Sequence, residues 1–144
     1  MDYRLATLKD APALAELNKQ LTEDEDHPNQ AKPLAFFEER MRRFLIEEYD
    51  AILFEDSGKT VAYALYTKYD EQSTTIYLRQ FFVRRSRRRQ GIGKEAMHIL
   101  KKKVWPQDKR LTVSVLWHNQ TGREFWQAMG YEPYSLDMEI KPGA

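Results

Sequence analysis

The sequence predicts a mixed α/β (α+β by some schemes) domain built on one sheet, and three observations carry that prediction. An apolar, β-branched and aromatic run over 75–83 leads into an arginine-rich loop, which closes on Gly91-Ile92-Gly93 and opens at once into a helical pattern. Two further apolar runs, 51–54 and 61–67, flank Asp56-Ser57-Gly58-Lys59, a hairpin turn with glycine where a positive φ is needed. Ahead of them, apolar residues recur at helical spacing in two separate segments. With 144 residues and no repeat, low-complexity tract or linker, the expectation is a single domain over 1–144.

The elements follow in order. Tyr3, Leu5 and Thr7 alternate with their neighbours and predict a short first strand. Asp10 before Ala11-Pro12 fits a helix N-cap with proline in the first turn, and Leu14, Leu17 and Leu21 form that helix's inner stripe. The polar stretch 22–32 (TEDEDHPNQAK) breaks the pattern and reads as a loop. Pro33 opens a second helix to about Glu48, with Phe36, Phe37, Met41, Phe44 and Leu45 on one side. Strands over 51–54, 61–67 and 75–83 complete a βααβββ order. A helix over 92–104 ends at Pro106, and a strand covers 111–117. Asn119 starts a last helix that Gly130 stops, and 131–140 alternates loosely, as a closing strand or hairpin arm would. That makes about four helices around the sheet.

Composition narrows the function classes. Cysteine is absent, which removes disulfides, cysteine metal sites and a thiol nucleophile together. No metal site is expected. No apolar run approaches the length of a membrane span and the N-terminus does not read as a signal peptide, so no membrane association and a cytoplasmic location are the expectations. The net charge of +1 leaves no global field for nucleic acid, and there is no second basic stripe. The charges are nevertheless segregated: 23–26 is an acidic block and 84–89 a basic one, so an anionic ligand is expected in one place and a cationic one in another.

The segment Arg88-Arg89-Gln90-Gly91-Ile92-Gly93 carries the most chemistry. Glycines at 91 and 93 let the backbone approach a pyrophosphate closely. Amides from Arg89 to Lys94 at a helix N-terminus favour an anion, and arginines supply bidentate contacts. A solvated basic turn before a capped helix would share this composition. A dinucleotide fingerprint fits poorly, because seven residues separate Val83 from Gly91 and no acid sits at the tip of the next strand. A P-loop fails because Glu95 stands where Ser or Thr is required.

With this segment placed between a strand and a helix, after βααβββ, the chain resembles the GNAT superfamily of N-acetyltransferases. Their signature is Arg/Gln-x-x-Gly-x-Gly/Ala, matched at Arg88, Gly91 and Gly93. The resemblance continues at Asn119 to Trp126 and Gly130-Tyr131, against the family's Asn-x-x-Ala-x-x-Phe-Tyr and Gly-Phe. It implies a mostly antiparallel central sheet with a splayed strand pair, and acetyl-CoA as co-substrate, without metal. Backbone groups of Phe81, Phe82 and Val83 would pair with the pantetheine arm, and 88–94 (Arg88, Arg89, Gln90, Gly91, Ile92, Gly93, Lys94) would hold the phosphates. Asn119 would contact the cofactor, and Phe125 and Trp126 would form core and pocket wall.

Two departures from the family pattern bear on catalysis. The tyrosine that serves relatives as general acid is Trp126 here, a poor proton donor. Tyr131 and Tyr134 are the nearest alternatives in sequence, with half-buried aromatic roles as the plainer reading. The strand carries Leu78-Arg79-Gln80, without the acidic pair that some polyamine-acetylating relatives place there. A base must then come from elsewhere. The loop that borders the acceptor site in this family holds Glu23, Asp24, Glu25, Asp26 and His27, of which Glu25 and His27 are the candidates; a solvated acidic loop is the alternative. The implied reaction is direct acetyl transfer to a primary amine in a ternary complex. The acceptor, small molecule or peptide, is left open, as is a homodimer of the kind common in the family. The rival classes are a CoA-binding module with little or no catalysis, motivated by Trp126, and a nucleic-acid binder using the arginine block.

Overall fold

The structure is a computed structural model that describes residues 1–144. The order is β1 (Asp2–Leu5), α1 (Ala11–Asp24), α2 (Leu34–Ile46), β2 (Tyr49–Asp56), β3 (Lys59–Thr67), β4 (Thr75–Val83), α3 (Ile92–Ile99), β5 (Arg110–Val113) and α4 (Gln120–Ala128). The five strands form one sheet in the order β1-β2-β3-β4-β5. The first three pairings are antiparallel, while β4–β5 is parallel, with α3 as its crossover. This is the mixed, mostly antiparallel architecture with four helices that the sequence predicts.

The β2–β3 hairpin closes through Ser57 (φ +53°) and Gly58 (φ +79°). Two consecutive left-handed residues make a turn whose twist matches that of the strands. One face of the sheet carries α1 and α2. Leu14, Leu17, Met41, Leu53, Tyr63, Leu65 and Phe82 interlock there in a dry cluster. The alternate strand residues Ile52, Phe54, Ala62, Ala64 and Tyr66 are also buried, as the period of two requires when both faces are covered. Tyr66 packs edge-on against Trp105, which follows α3.

Four predicted boundaries differ from the structure. The stretch 22–32 is not plain loop: α1 continues to Asp24 and Pro28–Ala31 forms a 3-10 turn. Lys19 makes this ordering possible, because its Nζ donates to the carbonyls of Gln30 (2.8 Å) and Lys32 (2.9 Å). The helix over 92–104 is α-helical only to Ile99 and then widens into a π-turn, Leu100–Val104. The strand expected over 111–117 stops at Val113. No strand forms over 131–140, where Leu136, Met138 and Ile140 stay exposed; alternation alone does not make a strand without an edge to pair with.

The chain divides into two compact units, Met1–Ser114 and Val115–Ala144. The first contains the whole sheet with α1, α2 and α3, and the second contains α4. No helix is long and apolar enough to cross a membrane.

Candidate functional site

The first unit's site is organised by β4. Its ladder with β5 ends at Leu78↔Val113, whereas its ladder with β3 runs on to Val83. The parallel pair therefore separates after Leu78, and 79–83 continues beyond the reach of β5. A strand edge left this way is what an extended, amide-bearing ligand pairs with. Phe81 and Val83 are partly buried along this edge, while Phe82 turns inward to the core.

β4 also carries a bulge. Tyr66 pairs with Leu78 and Leu65 pairs with Gln80, so Arg79 is an extra residue in the strand. A bulge interrupts strict alternation. Tyr77, Arg79 and Gln80 consequently line the same half-open pocket of about 250 Å³, although 79 and 80 are adjacent. The opposite wall comes from α1 and the turn after it (Thr22, Glu25 and His27) and from Arg40 of α2.

Gln80 is held in one orientation. Its Oε1 accepts from Tyr63 Oη (2.9 Å) and from Asn18 Nδ2 (3.2 Å), which directs its NH₂ group away from both. Burial pushes the Tyr63 phenol well up, so the hydroxyl remains a donor. His27 Nδ1 accepts from the Asn29 amide (3.0 Å). With Nδ1 accepting this bond, Nε2 is the ring nitrogen left for other partners. Glu25 lies at the surface, but partial loss of water in the concavity pushes its carboxyl up; His27 and Arg40 nearby oppose that shift and Asp24 adds to it. Of the two predicted catalytic groups in this turn, Glu25 has the chemistry of a proton acceptor.

At the other end of β4 the chain enters the arginine loop. Arg89 (φ +63°) and Gly91 (φ +76°) are both left-handed. A non-glycine residue held there costs about 1–2 kcal/mol. Gly91 is the N-cap of α3 and supplies no side-chain cap, so the first-turn amides of Ile92, Gly93 and Lys94 have no side chain closing them off. A Cβ built on Gly91 would meet nothing within 4 Å, so the space above the loop is open. These features fit a diphosphate.

The arginines themselves are mostly committed elsewhere. Arg88 donates to Asp24 (2.6 Å) and to the Val83 carbonyl (3.2 Å), and lies over the Phe82 ring. Arg85 donates to Asp24 (2.8 Å) and Glu23 (3.2 Å). Arg84 pairs with Glu16 and Arg87 with Asp56, while Arg87 Nε also donates to Gln90. Glu23 and Asp24 of the acidic block thus bind Arg85 and Arg88 of the basic one, while Glu25 and Arg89 stay out of these pairs. Sequence distance concealed this, because 61 residues separate Asp24 from Arg85. Arg89 makes no ion pair, and Lys94 is exposed beside it. Ile92 turns into the core.

In the second unit, Asn119 Oδ1 accepts from the Gly122 amide (2.9 Å) and caps α4. A Cβ on residue 122 would sit 2.4 Å from Asn119 Nδ2, so an alanine here would require the Asn119 side chain to shift. Phe125, Trp126 and Tyr131 stack edge-to-face in sequence. The Tyr131 hydroxyl is buried without a hydrogen-bond partner, and burial pushes its phenol up to about 12. Tyr134 is 80% exposed.

Sequence reasoning missed Arg40, Tyr77, Thr22 and the donor role of Gln80. Arg40 reads as one more charge on a helix's outer face, and nothing short of the fold brings it to β4.

The description that matches the chain is the acetyltransferase (GNAT) family, over residues 12–131. Comparison with curated protein sequences gave no match. Among solved structures, the aminoglycoside N-acetyltransferase AAC(6')-Iy in complex with CoA is similar at TM-score 0.75 and 16% identity, covering 99% of this chain and 95% of that one. A ribosomal-protein-alanine N-acetyltransferase from Brucella melitensis biovar Abortus 2308 is similar at TM-score 0.71 and 16% identity, covering 98% and 99%. The aminoglycoside acetyltransferase meta-AAC0020, from an uncultured soil metagenomic sample and in complex with sisomicin, is similar at TM-score 0.74 and 14% identity, covering 97% and 95%. At these identities the solved structures establish the fold, and the family match over most of the sequence establishes the rest: the chain belongs to the acetyltransferase (GNAT) family, whose members transfer acetyl groups from acetyl-CoA.

Proposed function

We propose that the chain is an N-acetyltransferase in which both compact units act as one domain, moving an acetyl group to a primary amine by direct attack in a ternary complex. The observation that carries this is the course of β4. One strand borders a polar pocket at 77–80, presents an edge beyond β5 at 79–83, and feeds an uncapped helix N-terminus at Gly91. Acceptor, thioester and diphosphate sites therefore lie in sequence along one element.

Acetyl-CoA supplies an activated acetyl thioester when bound. The chain's own groups do the remainder. The 79–83 edge pairs with the pantetheine amides, and the amide near Val83 is placed to donate to the thioester carbonyl. Arg89, Lys94 and the first-turn amides of α3 hold phosphate oxygens. Glu25 takes the proton that an ammonium must lose before its nitrogen can attack, directly or through water. The new C–N bond forms as the C–S bond breaks, and the departing thiolate takes up a proton. Tyr131, protonated and without a partner, is the better donor of the two candidate tyrosines. With no cysteine, positioning of amine against thioester does most of the work.

A second reading, a CoA-binding module with little catalysis, is favoured by Trp126 in the tyrosine position. Calorimetric titration with acetyl-CoA and with an oligonucleotide, followed by thiol release over a panel of amines, separates the classes. Acetyl-CoA binding with turnover on an amine is the expected result; binding with no turnover on any amine favours the module. Gly91→Trp fills the open space above the loop and should abolish acetyl-CoA binding. A Gly91→Trp protein that binds normally would overturn this placement of the site.

A further inference from the structure

Arg40 of α2 and the bulge residue Arg79 of β4 both lie over the ring of Phe44, with guanidinium carbons 5.3 and 5.0 Å from its centroid. Two cations on one ring repel one another. Neither forms an ion pair, although every ion-paired arginine of the glycine loop has found a carboxylate. Arg79 Nη1 donates to Tyr49 Oη (2.9 Å), which fixes it without neutralising it. Arg40 has no hydrogen bond, yet it is only partly exposed. Burial and the charge on Arg79 act to weaken its hold on its proton, and Tyr63 and Glu25 oppose them only in part. A partly buried arginine with no carboxylate at ion-pair distance is an unfavourable arrangement, because the more distant Glu25 repays only part of its desolvation.

Both arginines line the pocket at the head of the splayed strand. The NH₂ group of Gln80, left over when Tyr63 and Asn18 occupy Oε1, is a third donor in that pocket. The carboxylate in the same pocket is Glu25, on the facing turn. The pocket thus presents two guanidinium groups and an amide donor, Arg79 and Gln80 from β4 and Arg40 from α2, with Glu25 as its carboxylate. The volume, about 250 Å³, falls short of the several hundred Å³ typical of drug-sized ligands. A polycationic amine would meet two arginines here.

From this we infer that the acceptor is a small amine bearing its own anionic group, carboxylate or phosphate, with the anion bound by Arg40, Arg79 and Gln80 and the amine directed to Glu25. This rests on the N-acetyltransferase reading above and names the substrate class of that site. The bidentate fork of arginine suits a planar carboxylate and a phosphate alike, so the test carries both.

Three matched acceptors serve: β-alanine, β-alanine amide, and 2-aminoethyl phosphate, with a polycationic aminoglycoside as the opposing arm. Binding is read by calorimetry in the presence of CoA, and turnover by thiol release from acetyl-CoA. One of the two anionic amines should bind and react roughly tenfold or more better than the amide. Arg40→Gln and Arg79→Gln should each cost the anionic amines roughly tenfold more than they cost the amide, so that the preference is lost, and Arg79→Lys should restore part of it. Thermal melts guard against a merely structural effect: Arg40 makes no ion pair and is partly desolvated, so Arg40→Gln should not lower the melting temperature. If the amide or the aminoglycoside is acetylated as well as the anionic amines, the inference fails and the transferase reading stands. If nothing is acetylated, the transferase reading fails, and the calorimetry decides the inference: anion-dependent binding lost in Arg40→Gln sustains it, and equal binding of acid and amide overturns it.

Discussion

Arg88 of the glycine loop donates from Nη2 to Asp24 Oδ2 at 2.6 Å, joining the end of α1 to the loop that follows β4. The signature arginine is therefore a strut. It also donates to the Val83 carbonyl, so it fixes the loop to the strand it leaves. Asp24 accepts from Arg85 as well, and one carboxylate sets the position of two arginines.

Asp24→Asn should cost about 1 kcal/mol at neutral pH, the upper range for partly exposed pairs, and less at high salt. Partial burial acts to raise the Asp24 carboxyl, but the hydrogen bonds from Arg88 and Arg85 outweigh it and hold it below its ordinary value. The unfolded state then binds more protons in acid, so this stabilisation is present at neutral pH and is lost as the pH falls through the folded-state pKa. Urea denaturation at pH 7 and in acid should show the gap between wild type and variant closing. A gap that persists in acid would contradict the assignment.

Arg89 and Arg88 should separate cleanly. Arg89 makes no ion pair and is held left-handed at the loop's open side. Arg89→Ala should weaken acetyl-CoA binding about tenfold, as expected for a charge-assisted phosphate contact, without lowering the melting temperature. Arg88→Ala should lower both. Calorimetry and a thermal melt on the two variants check this, and equal losses of stability would refute it.

Glu25 should give the pH profile its acid limb. Its carboxyl is raised chiefly by loss of water, and the ionised form is the base, so kcat/KM should rise with pH through a midpoint above the ordinary carboxylate value. Glu25→Gln should remove that limb and lower kcat by roughly a hundredfold, within the range for a general base. The stability effect has the opposite sign to that of Asp24, since a raised acid destabilises the fold once it ionises. An unchanged profile in Glu25→Gln would exclude it as the base.

Tyr131→Phe distinguishes chemistry from packing. The hydroxyl is buried and unpartnered, so its removal should leave stability unchanged or slightly higher. The ring contact with Trp126 is retained. If Tyr131 protonates the thiolate, kcat should fall at least tenfold while the melting temperature holds. With the phenol up at about 12, no basic limb from this group is expected below pH 10. A variant with wild-type kcat would leave Tyr131 a packing residue.

Sequence alone determined the order of elements, because each rests on local physics. Leucines at helical spacing, the left-handed Ser57-Gly58 turn and the glycines before α3 act within a few residues of themselves. The loop proposed to bind phosphates was legible for the same reason: strand, loop and helix N-terminus are contiguous. The closing strand over 131–140 was overread, since alternation states a preference and an edge to pair with is a separate requirement. Tertiary structure alone decided the pocket proposed for the acceptor. The bulge at Arg79 places Gln80 on a wall that strict alternation would deny it, and no composition announces an extra residue in a strand. Asp24 meets Arg88, and Arg40 meets Arg79, across dozens of residues. Charge has no periodicity that encodes its distant partner, so only the packing of α1 and α2 on the sheet reveals which arginines are neutralised and which two are left facing the pocket.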